Sequence, residues 1–349
     1  MSLALPLRTS PAIASQCGDG PTTSRNGVEM FVCALVFVDA DGRRSPNSLS
    51  GDPRSYVDQA VCLNRSLLRA GMPRLNIMTN APDRIATRLE TFPKETRPSV
   101  HRLATTISLP KDMPVYAAHF KLDLMDQVAA GLPRDAMMLL LDADMIAIRP
   151  LDAELLTRCA EAGLGAFDIS DHVFPAYGFA SVINDLEIIA NRRFQNPRWY
   201  GGEFFLANQE SLCRLVQRAR EHYVRYVDAI GRLLHHGDEA FMSAALNTLA
   251  DDGQAIVEVG AYQVVGRHWA GNTFRDLSWF RHCSFVHLPD GKALLARPSR
   301  LTGFVPRHLW RSVVIALRIG RARSALKWLR NVVLSSLQGK AGAKPRSAR

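Results

Sequence analysis

Met137 to Leu141, MMLLL, is an unbroken apolar run that leads directly into Asp142-Ala143-Asp144, and a second apolar run, Met145 to Ile148, follows before Arg149-Pro150-Leu151. A short apolar run with no alternation suits a strand buried on both faces, as in a parallel sheet. Residues i and i+2 of an extended chain project to the same side, so Asp142 and Asp144 can converge on one point. In open α/β sheets, ligands bind beyond the carboxyl ends of the strands. Two hard oxygen donors there suggest Mg²⁺ or Mn²⁺, the ions that accompany diphosphates. The plain alternative is a capping turn carrying two solvated acids.

The rest of the chain alternates in the same sense. Val28 to Val38 reads as a buried first strand and Tyr56 to Ala70 as an amphipathic helix stopped by Gly71. Leu75 to Thr79 predicts a strand, Ala81 to Leu89 a helix, and Val115 to Val128 another helix. After the acids, Leu155 to Ala160 is helical and GLGAFDI, Gly163 to Ile169, is a strand carrying Asp168. WYGGEFFLA, Trp199 to Ala207, reads as extended, Gln209 to Leu234 as a long helix, and His236-Gly237-Asp238-Glu239 as the cap of a helix from Ala240 to Leu249. Short strands around Ala255 to Val259 and Ser284 to Leu288 close the body. Strand and helix in alternation imply parallel β-α-β units, so the fold class is α/β with a mostly parallel central sheet.

Three segments are expected: a disordered leader over residues 1–27, rich in Ser, Thr, Pro and Gly; one domain over 28–304; and a basic tail over 305–349. Charge separates the last two. Of 43 Lys and Arg, eleven lie between Arg307 and Arg349, which holds no acid, leaving 32 bases against 33 acids in the body. A nucleic-acid reader would carry a basic face on the folded body as well, so that class is disfavoured. In the tail, Trp310, Val313, Leu317, Ala325, Trp328, Leu329 and Val332 recur at helical spacing among arginines and lysines. A basic amphipathic helix with tryptophans fits an interfacial helix on anionic lipid; packing on the body or binding of acidic partners are the alternatives. No apolar run is long enough to span a bilayer. The six cysteines are scattered without a C-x-x-C pair, which fits a reducing cytosol.

Taken together, Lys121 in HFKLDL, LLLDADMIAIRPL, GAFD, GGEFF, GDEAF and a late strand with His287 resemble a GT-A glycosyltransferase, a Rossmann-like single domain. The match is to the retaining glycogenin-like and lipopolysaccharide-galactosyltransferase-like group (family 8 type), over roughly residues 28 to 295. The resemblance implies that Asp142-Ala143-Asp144 binds Mn²⁺ (or Mg²⁺) bridging the phosphates of a UDP-sugar. The family's third ligand is a histidine in H-x-x-G-x-x-K. Here His287-Leu-Pro-Asp-Gly291-Lys292 is the counterpart, with Gly291 one place late and Lys292 one place early, and His268 is the competing histidine. By the same resemblance, Lys121 and Lys292 contact donor or phosphate, Tyr56 stacks on uracil, Asp168 binds donor-sugar hydroxyls, and Gly202 lies where the family has its Asn-x-Gly turn. Asp238 and Glu239 match an Asp-Gln pair at the reacting carbon, with Glu239 replacing the usual Gln. A carboxylate there could stabilise an oxocarbenium-like transition state, or simply sit at a helix N-terminus where acids are favoured.

The resemblance therefore implies transfer of a hexose, from UDP-glucose or UDP-galactose, to a saccharide or glycolipid acceptor with retention of configuration. The tail adds an expectation of a cytoplasmic enzyme peripheral to the inner face of a membrane, with no nucleic-acid partner. Two other readings stay open: an inverting GT-A enzyme using Glu239 as general base, and a catalytically silent sugar-nucleotide-binding protein at the membrane.

Overall fold

Every residue of Met137–Leu141 is buried in the computed structural model of the chain, as a strand covered on both faces requires. The structure describes residues 22–23, 28–38, 53–110, 113, 115–172, 178–268, 278–296 and 306–341. Two compact units result, Met1–Pro306 and Arg307–Arg349. The leader expected over residues 1–27 lies outside the described residues apart from Thr22–Thr23.

The first unit begins with β1 (Thr22–Thr23), β2 (Glu29–Leu35), α1 (Pro53–Arg69), β3 (Asn76–Thr79), α2 (Pro82–Leu89) and β4 (Ser99–Arg102). It continues through α3 (Lys121–Gly131), β5 (Met137–Leu141), β6 (Met145–Ala147), α4 (Ala153–Ala162), β7 (Leu164–Asp168), α5 (Gly178–Ala190), β8 (Tyr200–Asn208) and α6 (Gln209–Ala229). It closes with α7 (Asp238–Asp251), β9 (Val257–Glu258), β10 (Val265–Arg267), β11 (Phe285–His287) and α8 (Lys292–Ala296).

The main sheet has the order β4-β3-β2-β5-β8-β7-β9, with β1 added antiparallel to β2. The pairs β2–β3, β3–β4, β2–β5 and β7–β9 are parallel, so the mostly parallel α/β architecture is observed. Only β8 reverses the pattern at the centre, running antiparallel to β5 and β7. The reversal has a consequence for the site. Phe204 of β8 faces Leu141 and Tyr200 faces Asp168, so the start of β8 lies at the edge where β5 and β7 end. A second sheet, β10-β11-β6, leaves that same edge, with His287 in register with both Met145 and Arg267.

Local breaks place the polar side chains. The continuous helix expected over Val115–Val128 does not form. Val115 adopts the left-handed region (φ 54°), a 3₁₀ turn spans Tyr116–Phe120, and α3 starts afresh at Lys121. A β-branched residue at positive φ is a strained conformation, and Lys121, at the start of the new helix, is buried at 6% exposure. Likewise α7 begins at Asp238, two residues earlier than expected, because extended Gly237 is the N-cap and contributes no side chain. Asp238 and Glu239 are thus the opening residues of the helix rather than its cap.

The second unit contains α9 (Pro306–Ala341), continuous over the whole expected amphipathic segment. Among its described side chains the apolar residues do not form one stripe. Ile315, Ile319, Leu326 and Leu329 fall on one line at helical spacing and all are exposed, while exposed Trp328 projects from the opposite side, with Arg323, Lys327 and Arg330 between. No helix among the described residues is long and apolar enough to cross a membrane.

Candidate functional site

Asp142 extends the β5–β8 pairing by one bond, its N–H donating to the Glu203 carbonyl at 3.2 Å. The chain then turns. Met145 N–H donates back to the Asp142 carbonyl (3.2 Å), and Leu288 N–H donates to the Asp144 carbonyl (3.1 Å), where β6 joins the second sheet. Asp142 and Asp144 therefore converge through a tight turn between two sheets, and not through the pleat of one extended strand as expected. The turn is the stronger device, because backbone bonds on both sides fix it.

Opposite the turn stands His287 at the end of β11. Its Nε2 lies 3.1 Å from Asp144 Oδ1 and 3.7 Å from Asp142 Oδ2. One ligand atom from each of Asp142, Asp144 and His287 falls within 4.8 Å of the others, a grouping that could hold a metal ion. His268 does not join it. Its N–H donates to the His287 carbonyl (2.9 Å), and its ring packs edge-on against Phe280. A 3₁₀ turn, Pro289–Gly291, absorbs the altered spacing after His287 and starts α8 at Lys292, whose Nζ reaches Asp144 Oδ2 at 3.3 Å. The same ammonium lies over the Tyr56 ring, 5.4 Å from its centroid, so α1 supplies an aromatic next to the acids.

Behind this group, Lys121 Nζ contacts Asp142 Oδ1 (2.7 Å), Asp238 Oδ2 (3.2 Å) and the Gly202 carbonyl (2.9 Å). Burial disfavours the ammonium, but Asp142 and Asp238 outweigh it and raise the Lys121 pKa. Burial raises the Asp238 pKa, against the pull of Lys121. Gly202 leaves room for this pair: a Cβ would stand 2.5 Å from Asp238 Oδ2 and 3.2 Å from Lys121 Nζ and would displace them. Glu239 is bound to Arg267 Nη2 through Oε1 and lies 3.4 Å from His235 Nε2 through Oε2. Burial would raise its pKa, yet Arg267 and His235 hold it below the ordinary carboxylate range. Arg267 also makes a two-point contact with Glu203, Nε to Oε1 at 2.7 Å and Nη2 to Oε2 at 3.0 Å.

The charges of this cluster fit a divalent cation. The carboxylates are Asp142, Asp144, Glu203, Asp238 and Glu239; the fixed cations are Lys121, Arg267 and Lys292. Two negative charges remain, and two carboxylates with an imidazole form a donor set compatible with a divalent cation. Burial disfavours a charged His287, but neighbouring Asp144 and Glu203 outweigh burial and push its pKa up to about 9. A proton thus balances part of the excess at the position a metal would neutralise.

Of the residues singled out in the sequence, Tyr56, Lys121, Asp142, Ala143, Asp144, Gly202, Asp238, Glu239, His287 and Lys292 are brought together. Asp168 stands on the same edge, two strand spacings or about 10 Å from β5, since β8 lies between. Its Oδ1 accepts from Ser170 N–H (2.8 Å) and its Oδ2 meets Arg198 Nη1 (3.1 Å). Three partners were not foreseen: Glu203, Arg267 and His235. The available signal was a charge inside an apolar strand, Glu203 before Phe204-Phe205 and Arg267 after Val264-Val265-Gly266.

No protein-family model matches the chain, and no curated protein matches it in sequence. Among solved structures it is similar to the galactosyltransferase LgtC in complex with donor and acceptor sugar analogs, with a TM-score of 0.48 and 12% identity over 81% of this chain and all of that one. It is similar to an active-site mutant of LgtC (TM-score 0.49, 12% identity, the same coverage). A third likeness is to apo mouse xyloside xylosyltransferase 1 (TM-score 0.44, 13% identity, 74% of this chain and 97% of that one). These solved proteins are glycosyltransferases, but likenesses this distant carry neither a substrate nor a mechanism across to this chain.

Proposed function

We propose that the chain is a metal-dependent glycosyltransferase that moves a hexose from a UDP-sugar, UDP-glucose or UDP-galactose, to a saccharide or glycolipid with retention of configuration. The observation that carries this reading is the convergence of Asp142, Asp144 and His287 within 4.8 Å, with Lys121 and Lys292 both contacting those acids. Asp142, Asp144 and His287 would hold Mn²⁺ or Mg²⁺. That ion supplies neutralisation of the diphosphate charge that grows as the sugar departs, without any proton transfer. Lys292 and Lys121 are placed to pair with phosphate oxygens once the acids turn to the ion. Tyr56 offers the flat face on which uracil stacks, and the Ala143 and Gly202 backbones border the donor. Asp168 takes sugar hydroxyls in this reading, with Arg198 holding its carboxylate in place. Asp238 and Glu239 flank the reacting carbon.

Glu239 bears on the choice between retention and inversion. An inverting enzyme would use it as general base, and a base works best with a pKa near the working pH. Arg267 and His235 hold the Glu239 pKa low, which suits a fixed anion better than a proton acceptor. The exposed apolar line and basic residues of α9 support the proposal that the tail lies on anionic lipid at the inner face of a membrane. Deleting residues 305–349 should then abolish binding to anionic vesicles and leave donor hydrolysis in place.

The test is a thermal-shift screen of sugar nucleotides with and without Mn²⁺, followed by assay of slow UDP-sugar hydrolysis. A ligand that binds only the native state raises apparent stability with its affinity, so the donor should stand out and require the metal. If no sugar nucleotide is bound, hydrolysed or transferred, the proposal is wrong.

A further inference from the structure

Glu203 is a fully buried acid in the middle of an apolar strand, and burying a carboxylate is costly unless every lone pair is engaged. Its neighbours explain where those lone pairs go. Oε2 accepts from Arg267 Nη2 (3.0 Å), and Oε1 accepts from both Arg267 Nε (2.7 Å) and His287 Nδ1 (3.2 Å). Arg267 and His287 are register partners on adjacent parallel strands, so both side chains descend onto the same carboxylate. Gly201 leaves the room, because a Cβ at that position would collide with the Glu203 carboxylate. The glycine pair in YGGEFF thus has two separate reasons: Gly201 clears space for Glu203, and Gly202 clears space for the Lys121–Asp238 pair.

We propose that Glu203, locked by Arg267, is the positioning residue that fixes His287 as a metal ligand. The inference rests on the metal-dependent reading of the site. An imidazole has two nitrogens, and the hydrogen bond made by one decides which is free to ligate. With Nδ1–H donated to Glu203, Nε2 faces Asp142 and Asp144 and is the nitrogen left to ligate once its own proton is displaced. Arg267 orients the Glu203 carboxylate independently of any ligand, so the ring is held before an ion arrives. Because Arg267 also grips Glu239, the same bond network ties the ligand at the metal to the carboxylate proposed at the reacting carbon.

Two measurements on the full chain test this, neither of them an assay of turnover. The first is ¹⁵N-histidine NMR of the Mg²⁺-loaded wild type, with His287→Asn used to assign the ring. The expected signature is a proton on Nδ1 and none on Nε2; a proton on Nε2 overturns the proposal. The second is Mn²⁺ titration followed by the EPR signal of free ion. Glu203→Gln should weaken binding about 10- to 100-fold, the range for loss of a partner behind a metal ligand. Should Glu203→Gln fail to fold, the double variant Glu203→Leu/Arg267→Met removes both buried charges of that pair together and should show the same loss. Wild-type affinity in a folded variant overturns the positioning role alone. Failure of the wild type to bind Mn²⁺ at all overturns the metal-dependent reading and the inference with it.

Discussion

At Asp142 and Asp144 the carboxylates face two lysines and a histidine, all of which can give up the contact to an incoming ion. At Glu203 and Glu239 the shared partner is Arg267, beside His287 and His235. A guanidinium stays charged at every relevant pH and binds Glu203 through two parallel bonds, in a place where Arg267 is 7% exposed and Glu203 not at all. The first group is a site whose charges await rearrangement. The second is a frame in which one buried arginine is held between two acids. Both are built from acids and bases at the same sheet edge, so the difference lies in how the partners are shared, not in residue type.

The sharpest break of this comparison is Asp144→Ala. Asp144 touches both His287 and Lys292, so its loss should remove Mn²⁺ binding and cut metal-dependent UDP-sugar hydrolysis by about 10³-fold, the scale for losing a principal stabiliser of developing charge. The folded state should persist, which circular dichroism and thermal melting would show. Hydrolysis that survives in Asp144→Ala would assign the chemistry elsewhere.

Arg267→Gln attacks the other group and should do the reverse, acting first on stability. It strands the buried acid Glu203 and removes one partner from half-buried Glu239, and breaking a buried pair from one side costs about 3–5 kcal/mol. Denaturant unfolding should show this loss in the absence of any metal or nucleotide. A variant as stable as wild type would mean that the pair does not form in solution.

A smaller effect separates the groups by pH. The His287 pKa is raised to about 9 from an ordinary value near 6.5. In the metal-free protein the protonated ring therefore contributes stability that is full below about pH 6.5 and lost as pH rises through about 9. A metal ion needs the neutral ring and must displace that proton. Apparent Mn²⁺ affinity should accordingly rise about tenfold per pH unit from pH 7 and level off near pH 9, with proton release visible as a dependence of binding heat on buffer ionisation enthalpy. A flat profile over that range would remove His287 from the ligand set.

The two groups also differ in how far they could be read from the chain. Asp142 and Asp144 are two residues apart, follow an apolar run and sit at the sheet edge where ligands bind, so local pattern was enough. Even there the means of convergence was misjudged, because the turn closed by Met145 N–H on the Asp142 carbonyl is held on either side by Glu203 and Leu288, far off in sequence. Lys121 was placed on a continuous helix because nothing in VYAAHFK marks Val115 as left-handed. The Arg267 bridges span 64 residues to Glu203 and 28 to Glu239. Such contacts exist only once β8, β10 and β11 have met, and β10 is too short to show periodicity. The α/β class was legible because each strand–helix unit is local; the reversed direction of β8 was not, since alternation of elements says nothing about strand sense.

The smallest effect expected is from His268→Asn, set beside His287→Asn. The two histidines are joined by a backbone bond and both are buried, yet only His287 points an imidazole nitrogen at Asp144. The His268 ring is turned to Phe280. Its replacement should cost some packing, about 1 kcal/mol on the scale of ordinary core substitutions, and change Mn²⁺ affinity by less than about twofold, a free-energy difference near 0.4 kcal/mol. His287→Asn should lower that affinity by at least tenfold under the same conditions. If the order is reversed, the third ligand is His268, the turn at Pro289–Gly291 has been given the wrong role, and Glu203 orients a ring that holds no ion.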